Sequence, residues 1–131
     1  MRRSPEVKEW IRKAEEDFIS ALVLARKRNP PLSGNVCFHC QQAAEKYLKG
    51  YLANNDISFP KTHDLVSLKD LASGRLPEIE FIVDLLKYLN RFASVSRYPG
   101  EDATVVQARR ALKAAREVRA FFASRLPGIS R

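Results

Sequence analysis

Four polar side chains of the second helical segment are spaced so that they share one helix face. The spacing is three, four and three residues for His39, Gln42, Lys46 and Lys49, and residues three or four apart are neighbours on a helix surface. A lysine neutralises a phosphate as a point charge, and a glutamine amide can bond to a base edge or a ribose hydroxyl. The alternative is a solvated face on which Glu45 and Lys49 form a surface ion pair.

A second candidate lies in the loop Lys61-Thr62-His63-Asp64, ahead of the third helical segment. Thr62 can cap that helix, which puts His63 and Asp64 in its first turn. His63 can then act as a general acid or base, or bind a phosphate. The alternative is that His63 and Asp64 only hold the loop together through local hydrogen bonds.

Arginines mark the end of the fourth helical segment. Arg91 stands near that end, and Arg97 and Tyr98 belong to a turn beyond it. A guanidinium group is a planar fork that binds phosphate, and a tyrosine ring can stack on a base. The alternative is an ion pair between Arg97 and a carboxylate, either Asp17 or Glu101.

The two cysteines, Cys37 and Cys40, form a Cys-x-x-Cys pair. A zinc site needs four converging ligands, but both cysteines lean toward the apolar face of their helix while His39 points away from it. A redox site of the thioredoxin type follows a strand, and none precedes this pair. The sequence therefore predicts buried structural cysteines, and neither a metal nor a cofactor.

The composition is that of a small basic globular protein. The 131 residues carry 23 Lys and Arg against 15 Asp and Glu, a formal charge of +8, which favours acidic partners such as nucleotides, RNA, DNA, anionic membranes or acidic proteins. A basic row on the last helix, interpreted as a solvated face, consists of Arg109, Lys113 and Arg116. We find no signal peptide and no apolar run of membrane-spanning length. We therefore expect a cytoplasmic protein with a single domain over residues 1–131 and an ordered core at about 5–125.

Helical periodicity recurs in five segments, and none alternates as a strand does. The predicted helices cover residues 5–28, 33–54, 63–73, 77–94 and about 102–124. Ser4 can cap the first of them, and Asp102 or Thr104 the last. Four long amphipathic helices joined by short loops predict an all-α fold, an antiparallel up-and-down four-helix bundle with one additional short helix.

The fourth predicted helix carries two apolar rows, more than one core face needs. Such a helix is either central in the bundle or buried against a second subunit. We expect Phe81, Tyr88 and Phe92 to lie partly in the interface of a homodimer.

Four motifs together resemble the HEPN family of small helical domains. They are Ala14, Asp17 and Ala21 in the first helix, the run over residues 38–49 in the second, Thr62-His63-Asp64-Leu65, and Arg97-Tyr98-Pro99. They recur in this order over about residues 10–105, and the helix-two run is the most specific. The resemblance implies a dimeric helical bundle with a cleft for nucleotide or RNA near the dimer interface. It also implies a minimal nucleotidyltransferase as a protein partner, in a toxin–antitoxin pair.

The resemblance further implies which residues meet the ligand. Carried over to this chain, the cleft residues are Gln42, Lys46, His63, Arg91, Arg97 and Tyr98. Asp17, Gln41 and Glu45 are then the residues that orient them.

Family members that cut RNA carry an arginine and a histidine separated by four to six residues, a pattern that is missing after Arg91. Our first hypothesis is therefore a binding module rather than an enzyme. The second is a metal-independent endoribonuclease, in which His63 or His39 donates the proton and Arg91 or Arg97 stabilises the oxyanion. The third is a structural protein-interaction bundle whose basic face is solvated.

Overall fold

The computed structural model describes residues 4–94 and 99–130. Within these residues every regular element is helical, as predicted, and no strand is present. The α-helices are α1 (Pro5–Leu24), α2 (Ser33–Asn54), α3 (Leu65–Ser73), α4 (Val83–Asn90) and α5 (Val105–Ala123), and a 3₁₀ helix (Pro77–Ile82) leads into α4. The predicted bounds of the second helix are confirmed.

Polar caps set the starts of two helices, as the sequence predicts. The Ser4 hydroxyl accepts from the Val7 amide at 3.2 Å, and Pro5 follows at the first helical position. At α5 the Thr104 hydroxyl accepts from the Gln107 amide at 3.0 Å, while the Gln107 side chain accepts from the Thr104 amide at 2.9 Å. These bonds satisfy amide groups that have no partner within the helix.

The first helix is shorter than predicted, because it ends at Leu24 rather than at residue 28. The amides of Arg26 and Lys27 donate to carbonyls only three residues back, at 3.1 Å each. A proline has no amide to donate and restricts the residue before it to extended conformations. The α-helix therefore tightens and ends ahead of the Asn29-Pro30 bond.

The fourth helix is divided, and its prediction as one α-helix over residues 77–94 is wrong. Its first part is a 3₁₀ helix and its α-helical part ends at Asn90. Three residues complete a turn of a 3₁₀ helix, so residues i and i+3 share a face. Ile79 and Ile82 are buried on such a face, whereas Phe81 is 84% exposed. The second apolar row therefore does not extend to Phe81.

The expected interface role of Tyr88 and Phe92 is also wrong. Both rings are buried within the chain, in edge-to-face contact at 5.4 Å between centroids. The Tyr88 hydroxyl donates to the Gln107 carbonyl at 3.2 Å and so ties α4 to α5. Only Phe81, of the three predicted interface rings, remains available to a partner.

Two pairs of packed helices, α1 with α2 and α4 with α5, run in opposite directions. Trp10, near the start of α1, lies beside Gly50, near the end of α2. A Cβ atom at Gly50 would lie 3.4 Å from the Cβ of Trp10, so glycine lets the two helices approach closely. The end of α4 meets the start of α5 at the Tyr88–Gln107 bond, which makes this pair antiparallel as well.

The second helix is the centre of the fold, because it packs against α1, α3, α4 and α5. Tyr47 of α2 stacks on Phe122 of α5 with ring centroids 6.4 Å apart. Charged and amide side chains of α2 are buried together with its apolar ones, namely Gln41, Glu45 and Lys49. These groups are the start of the candidate site.

No helix within residues 4–94 and 99–130 has both the length and the apolar character that crossing a membrane requires.

Candidate functional site

Asp17 joins α1 to the polar face of α2. Its residue surface is 9% exposed, and one carboxylate oxygen lies 2.8 Å from His39 Nδ1. The other oxygen accepts a hydrogen bond from Lys46 Nζ at 2.6 Å. A carboxylate can only accept, so His39 Nδ1 carries the proton of their bond. One buried acid therefore fixes both a histidine and a lysine of the predicted face.

Glu45 plays the corresponding role for the loop before α3. Its Oε1 lies 2.9 Å from His63 Nδ1, and its Oε2 accepts from Lys49 Nζ at 2.9 Å. The Glu45 side chain is 4% exposed, whereas the imidazole of His63 is 68% exposed. Because Nδ1 is engaged by the carboxylate, Nε2 is the ring nitrogen that remains to meet a ligand.

Two glutamines connect these groups across the helix surface. Gln41 is fully buried, and its Nε2 donates to the backbone carbonyl of His63 at 2.9 Å. Gln42 donates from Nε2 to Gln41 Oε1 at 2.7 Å and lies 3.3 Å from Glu45 Oε1. Gln41 therefore holds the His63 loop against α2, and Gln42 bonds to both Gln41 and Glu45.

The end of α4 is anchored beside His63 by Asn90. Its side-chain oxygen accepts from the Leu65 amide at 2.8 Å, and its Nδ2 donates to Asp64 Oδ1 at 2.9 Å. Hydrogen bonds from Ser67 and Asn90 lower the pKa of the Asp64 carboxyl group. Arg91, the next residue along the chain, is thereby placed next to the loop that carries His63.

Asp64, not Thr62, caps the third helix. The Asp64 carboxylate accepts from the Val66 amide at 3.1 Å, and α3 begins at Leu65. The Thr62 hydroxyl instead accepts from the Asp64 amide at 3.1 Å. The prediction that His63 lies in the first helical turn is therefore wrong, and this shift leaves the imidazole outside α3.

The guanidinium groups of Arg91 and Arg110 both lie over the ring of Tyr88, and Arg110 is not among the predicted site residues. The Cζ atoms of Arg91 and Arg110 lie 4.7 and 4.0 Å from the ring centre of Tyr88. A guanidinium group over a tyrosine ring is a favourable contact. Arg110 stands three residues after Gln107, the partner of Tyr88, so its place over the ring depends on the packing of α4 against α5, which the sequence pattern does not reveal.

We refer to His39, Gln42, Lys46 and His63 as the histidine cluster. The structure joins these four predicted residues in two networks: Asp17 bonds to His39 and Lys46, whereas Glu45 bonds to Gln42 and His63. Lys49 points elsewhere: it is 6% exposed, with Nζ 5.4 Å from the ring centre of Trp10. The interpretation of Glu45 and Lys49 as a surface pair is therefore wrong. Arg97 and Tyr98 lie outside the described residues.

Cys37 and Cys40 are both buried, as predicted. Burial raises the pKa of the Cys40 thiol to about 12. Among residues 4–94 and 99–130, no group of three or more His, Cys, Asp or Glu side chains is arranged to hold a metal ion.

Comparison with known proteins gives one family and one related structure. The family model of the HEPN domain matches residues 7–126. The crystal structure of an archaeal HEPN homologue resembles this fold with a TM-score of 0.70 and 22% sequence identity, covering 95% of this chain and 98% of that chain. At this identity the likeness concerns the fold alone. A search of curated protein sequences returned no match.

Proposed function

Because the chain belongs to the HEPN domain family, we propose that it is a nucleotide- or RNA-binding helical module that acts as a homodimer. The observation that carries this proposal is the exposed imidazole of His63, which is held in place by the buried carboxylate of Glu45. A polar side chain that is fixed before binding loses little conformational freedom when a ligand arrives. The histidine cluster is therefore suited to bind an anion.

The chemistry of the cluster fits a nucleotide phosphate. Lys46 has three N–H donors, of which one is given to Asp17, so two remain for phosphate oxygens. Arg91 adds a guanidinium fork from the end of α4. Gln42 supplies an amide that can bond to a base edge or a ribose hydroxyl. We propose that one phosphate meets His63, Lys46 and Arg91 while the nucleoside meets Gln42.

Titration calorimetry with ATP, GTP and a short single-stranded RNA tests this assignment. We expect His63→Gln and Arg91→Gln each to weaken binding about tenfold, the value of one lost charge-assisted hydrogen bond. Arg116→Gln is the matched control, because Arg116 is an exposed arginine of α5 away from the cluster. If the unaltered protein bound none of these ligands at low salt, the result would contradict the binding module and favour the structural protein-interaction bundle.

The homodimer and the partner belong to the same proposal. Ile19 and Val23 stand one turn apart on α1 and are 57% and 58% exposed, and Phe81 is 84% exposed. These three exposed apolar side chains are available to a second copy of the chain.

We further propose that a minimal nucleotidyltransferase is the protein partner, in a cytoplasmic toxin–antitoxin pair. Co-expression with a nucleotidyltransferase encoded by a neighbouring gene, followed by co-purification, tests this step, and separate elution of the two proteins would contradict it.

One observation favours the endoribonuclease as the second candidate. A histidine whose Nδ1 is oriented by a buried carboxylate, with Nε2 open, has the arrangement of a general acid or base. Incubation of the purified protein with RNA in EDTA separates the two functions. Cleavage that is abolished by His63→Ala would identify the enzyme, whereas binding of intact RNA would favour the module.

A further inference from the structure

A pocket of about 210 Å³ lies at the start of the second helix, whereas Glu45, the partner of His63, lies in its middle. It is enclosed by the end of α1, the start of α2 and the start of α5. Ser33, which lines it, precedes Glu45 by twelve residues, so the two lie about 18 Å apart along the helix axis. The pocket is far larger than the ~10–15 Å³ that one water molecule requires. None of the four residues of the histidine cluster lines it, and His39 follows the lining residue Val36 by one helical turn.

The floor of this pocket is apolar. Leu32 and Val36 contribute from α2 and its preceding residue, and Leu112 contributes from α5. Val36 is 1% exposed, so the floor is continuous with the core. An apolar floor of this kind favours the flat or aliphatic part of an organic ligand.

One wall is the start of α2. The residue before the helix is Leu32, whose side chain cannot accept a hydrogen bond, and no side chain caps the first turn. The first amides of an α-helix have no intrahelical partner and carry partial positive charge. Ser33, the first residue of this turn, lines the pocket.

Ser33 is an independent sign that the pocket accepts a ligand. The residue is 8% exposed and lines the pocket. Across the part of the chain that the structure describes, its hydroxyl has no hydrogen-bond partner. Ser33 therefore offers one hydroxyl group, a donor and an acceptor, to whatever occupies the space.

The rim is basic. Lys27, Arg28 and Arg109 line the opening, and no carboxylate does. Lys27 Nζ donates to the carbonyls of Asn29 and Pro30, which holds the lysine against the loop between α1 and α2. Within residues 4–94 and 99–130, neither Arg28 nor Arg109 forms an ion pair with a carboxylate. Three cations therefore surround the start of α2.

We propose that this pocket is a second ligand site, for a nucleoside monophosphate whose phosphate binds at the start of α2 and whose base lies on the apolar floor. The phosphate has three terminal oxygens, which match the helix amides, the Ser33 hydroxyl and the guanidinium groups of Arg28 and Arg109. A carboxylate has only two oxygens and a single charge, so it satisfies fewer of these donors. The site is independent of the histidine cluster, and neither assignment needs the other.

NMR titration of the ¹⁵N-labelled unaltered protein locates the site without any substitution. With AMP as the probe, we expect the largest amide shifts at Ser33, Gly34 and Asn35. Inorganic phosphate should produce the same shifts more weakly, since it lacks the group that covers the floor. Shifts confined to the surroundings of His63 would overturn the second site.

Calorimetry with variants measures the contributions. Ser33→Ala and Arg109→Gln are each expected to weaken AMP binding about tenfold, whereas Arg116→Gln on the same helix should leave it unchanged. The amide shifts at Ser33, Gly34 and Asn35 follow this site separately from any binding at the histidine cluster. Adenosine should bind at least tenfold more weakly than AMP. Equal binding of adenosine, displacement of AMP by octanoate at similar concentration, or unaltered affinity in both variants would overturn the proposal.

Discussion

Replacement of Glu45 by alanine should be among the most destabilising substitutions of a charged residue in this protein. The side chains of Glu45 and Lys49 are 4% and 8% exposed, and their ion pair measures 2.9 Å. Removing the acid leaves Lys49 as a buried cation whose remaining neighbours include the rings of Trp10 and Phe59, at 5.4 and 5.9 Å. Breaking a buried pair in this way costs about 3–5 kcal/mol. That is a large part of the roughly 5–15 kcal/mol by which a domain is stable.

Urea unfolding followed by circular dichroism measures this free energy of unfolding. The matched control is Glu16→Ala, because Glu16 pairs with Arg12 on the surface, where its side chain is 62% exposed. That change should cost less than about 1 kcal/mol. The double variant Glu45→Gln with Lys49→Met should recover most of the loss, since it removes both charges together. A loss below about 1 kcal/mol for Glu45→Ala would show that the pair is solvated rather than buried.

Three further predictions concern acid stability, assembly and thiol reactivity. Burial alone would raise the pKa of Glu15, but hydrogen bonds from Arg119 and Tyr47 outweigh it and hold the pKa below its usual 4.5. The contribution of Glu15 to stability is therefore fully present above pH 4.5 and is lost as the pH falls through the lower pKa of the folded state. Glu15→Gln should flatten that part of the pH–stability curve. An unchanged curve would exclude this network. Phe81→Glu should convert the proposed dimer to a monomer in light scattering without loss of helicity, and a persistent dimer would exclude this ring from the interface. Burial raises the pKa of Cys40 to about 12. Iodoacetamide at pH 8 should therefore modify this thiol slowly in the native protein and quickly in urea. Rapid labelling of the native protein would show that the thiol is accessible.

Much of the fold follows from periodicity and from caps. The apolar stripes of α1, α2 and α5 have the 3.6-residue period of an α-helix, and Ser4 and Thr104 carry recognisable capping chemistry. The division of the fourth helix could not be read in this way. The spacing of Ile79 and Ile82 is compatible with both an α-helix and a 3₁₀ helix, and only the packing of the neighbouring helices decides between them.

The residue types of the candidate site could be predicted from the sequence, but the burial of its charged side chains could not. Helical spacing placed His39, Gln42 and Lys46 on one face, and in the structure Asp17 bonds to the histidine and the lysine of this face. The same spacing gave no sign that Glu45 and Lys49 are buried, because that depends on how α1 and the loop before α3 cover this side of α2. Long-range partners of this kind are set by tertiary packing, which no local pattern contains.

The roles of two polar residues, Asn90 and Ser33, could not be predicted from the sequence for a related reason. Asn90 looks like an ordinary helix-end residue until its bonds to Asp64 and Leu65 are seen. Ser33 looks like an ordinary residue of the first helical turn until α5 closes the pocket over it. In both cases the function of the side chain depends on an element that is distant in sequence.

The salt dependence of RNA binding tests most directly whether the surface beside His63 binds phosphate. Each phosphate contact made by a cation contributes about 0.7 to the slope of log K against log salt concentration for single strands. We predict that Arg91→Gln lowers the magnitude of this slope by about 0.7, while Arg116→Gln leaves it unchanged. An identical slope for the unaltered protein and Arg91→Gln would mean that this arginine meets no phosphate, and it would contradict the proposed binding surface.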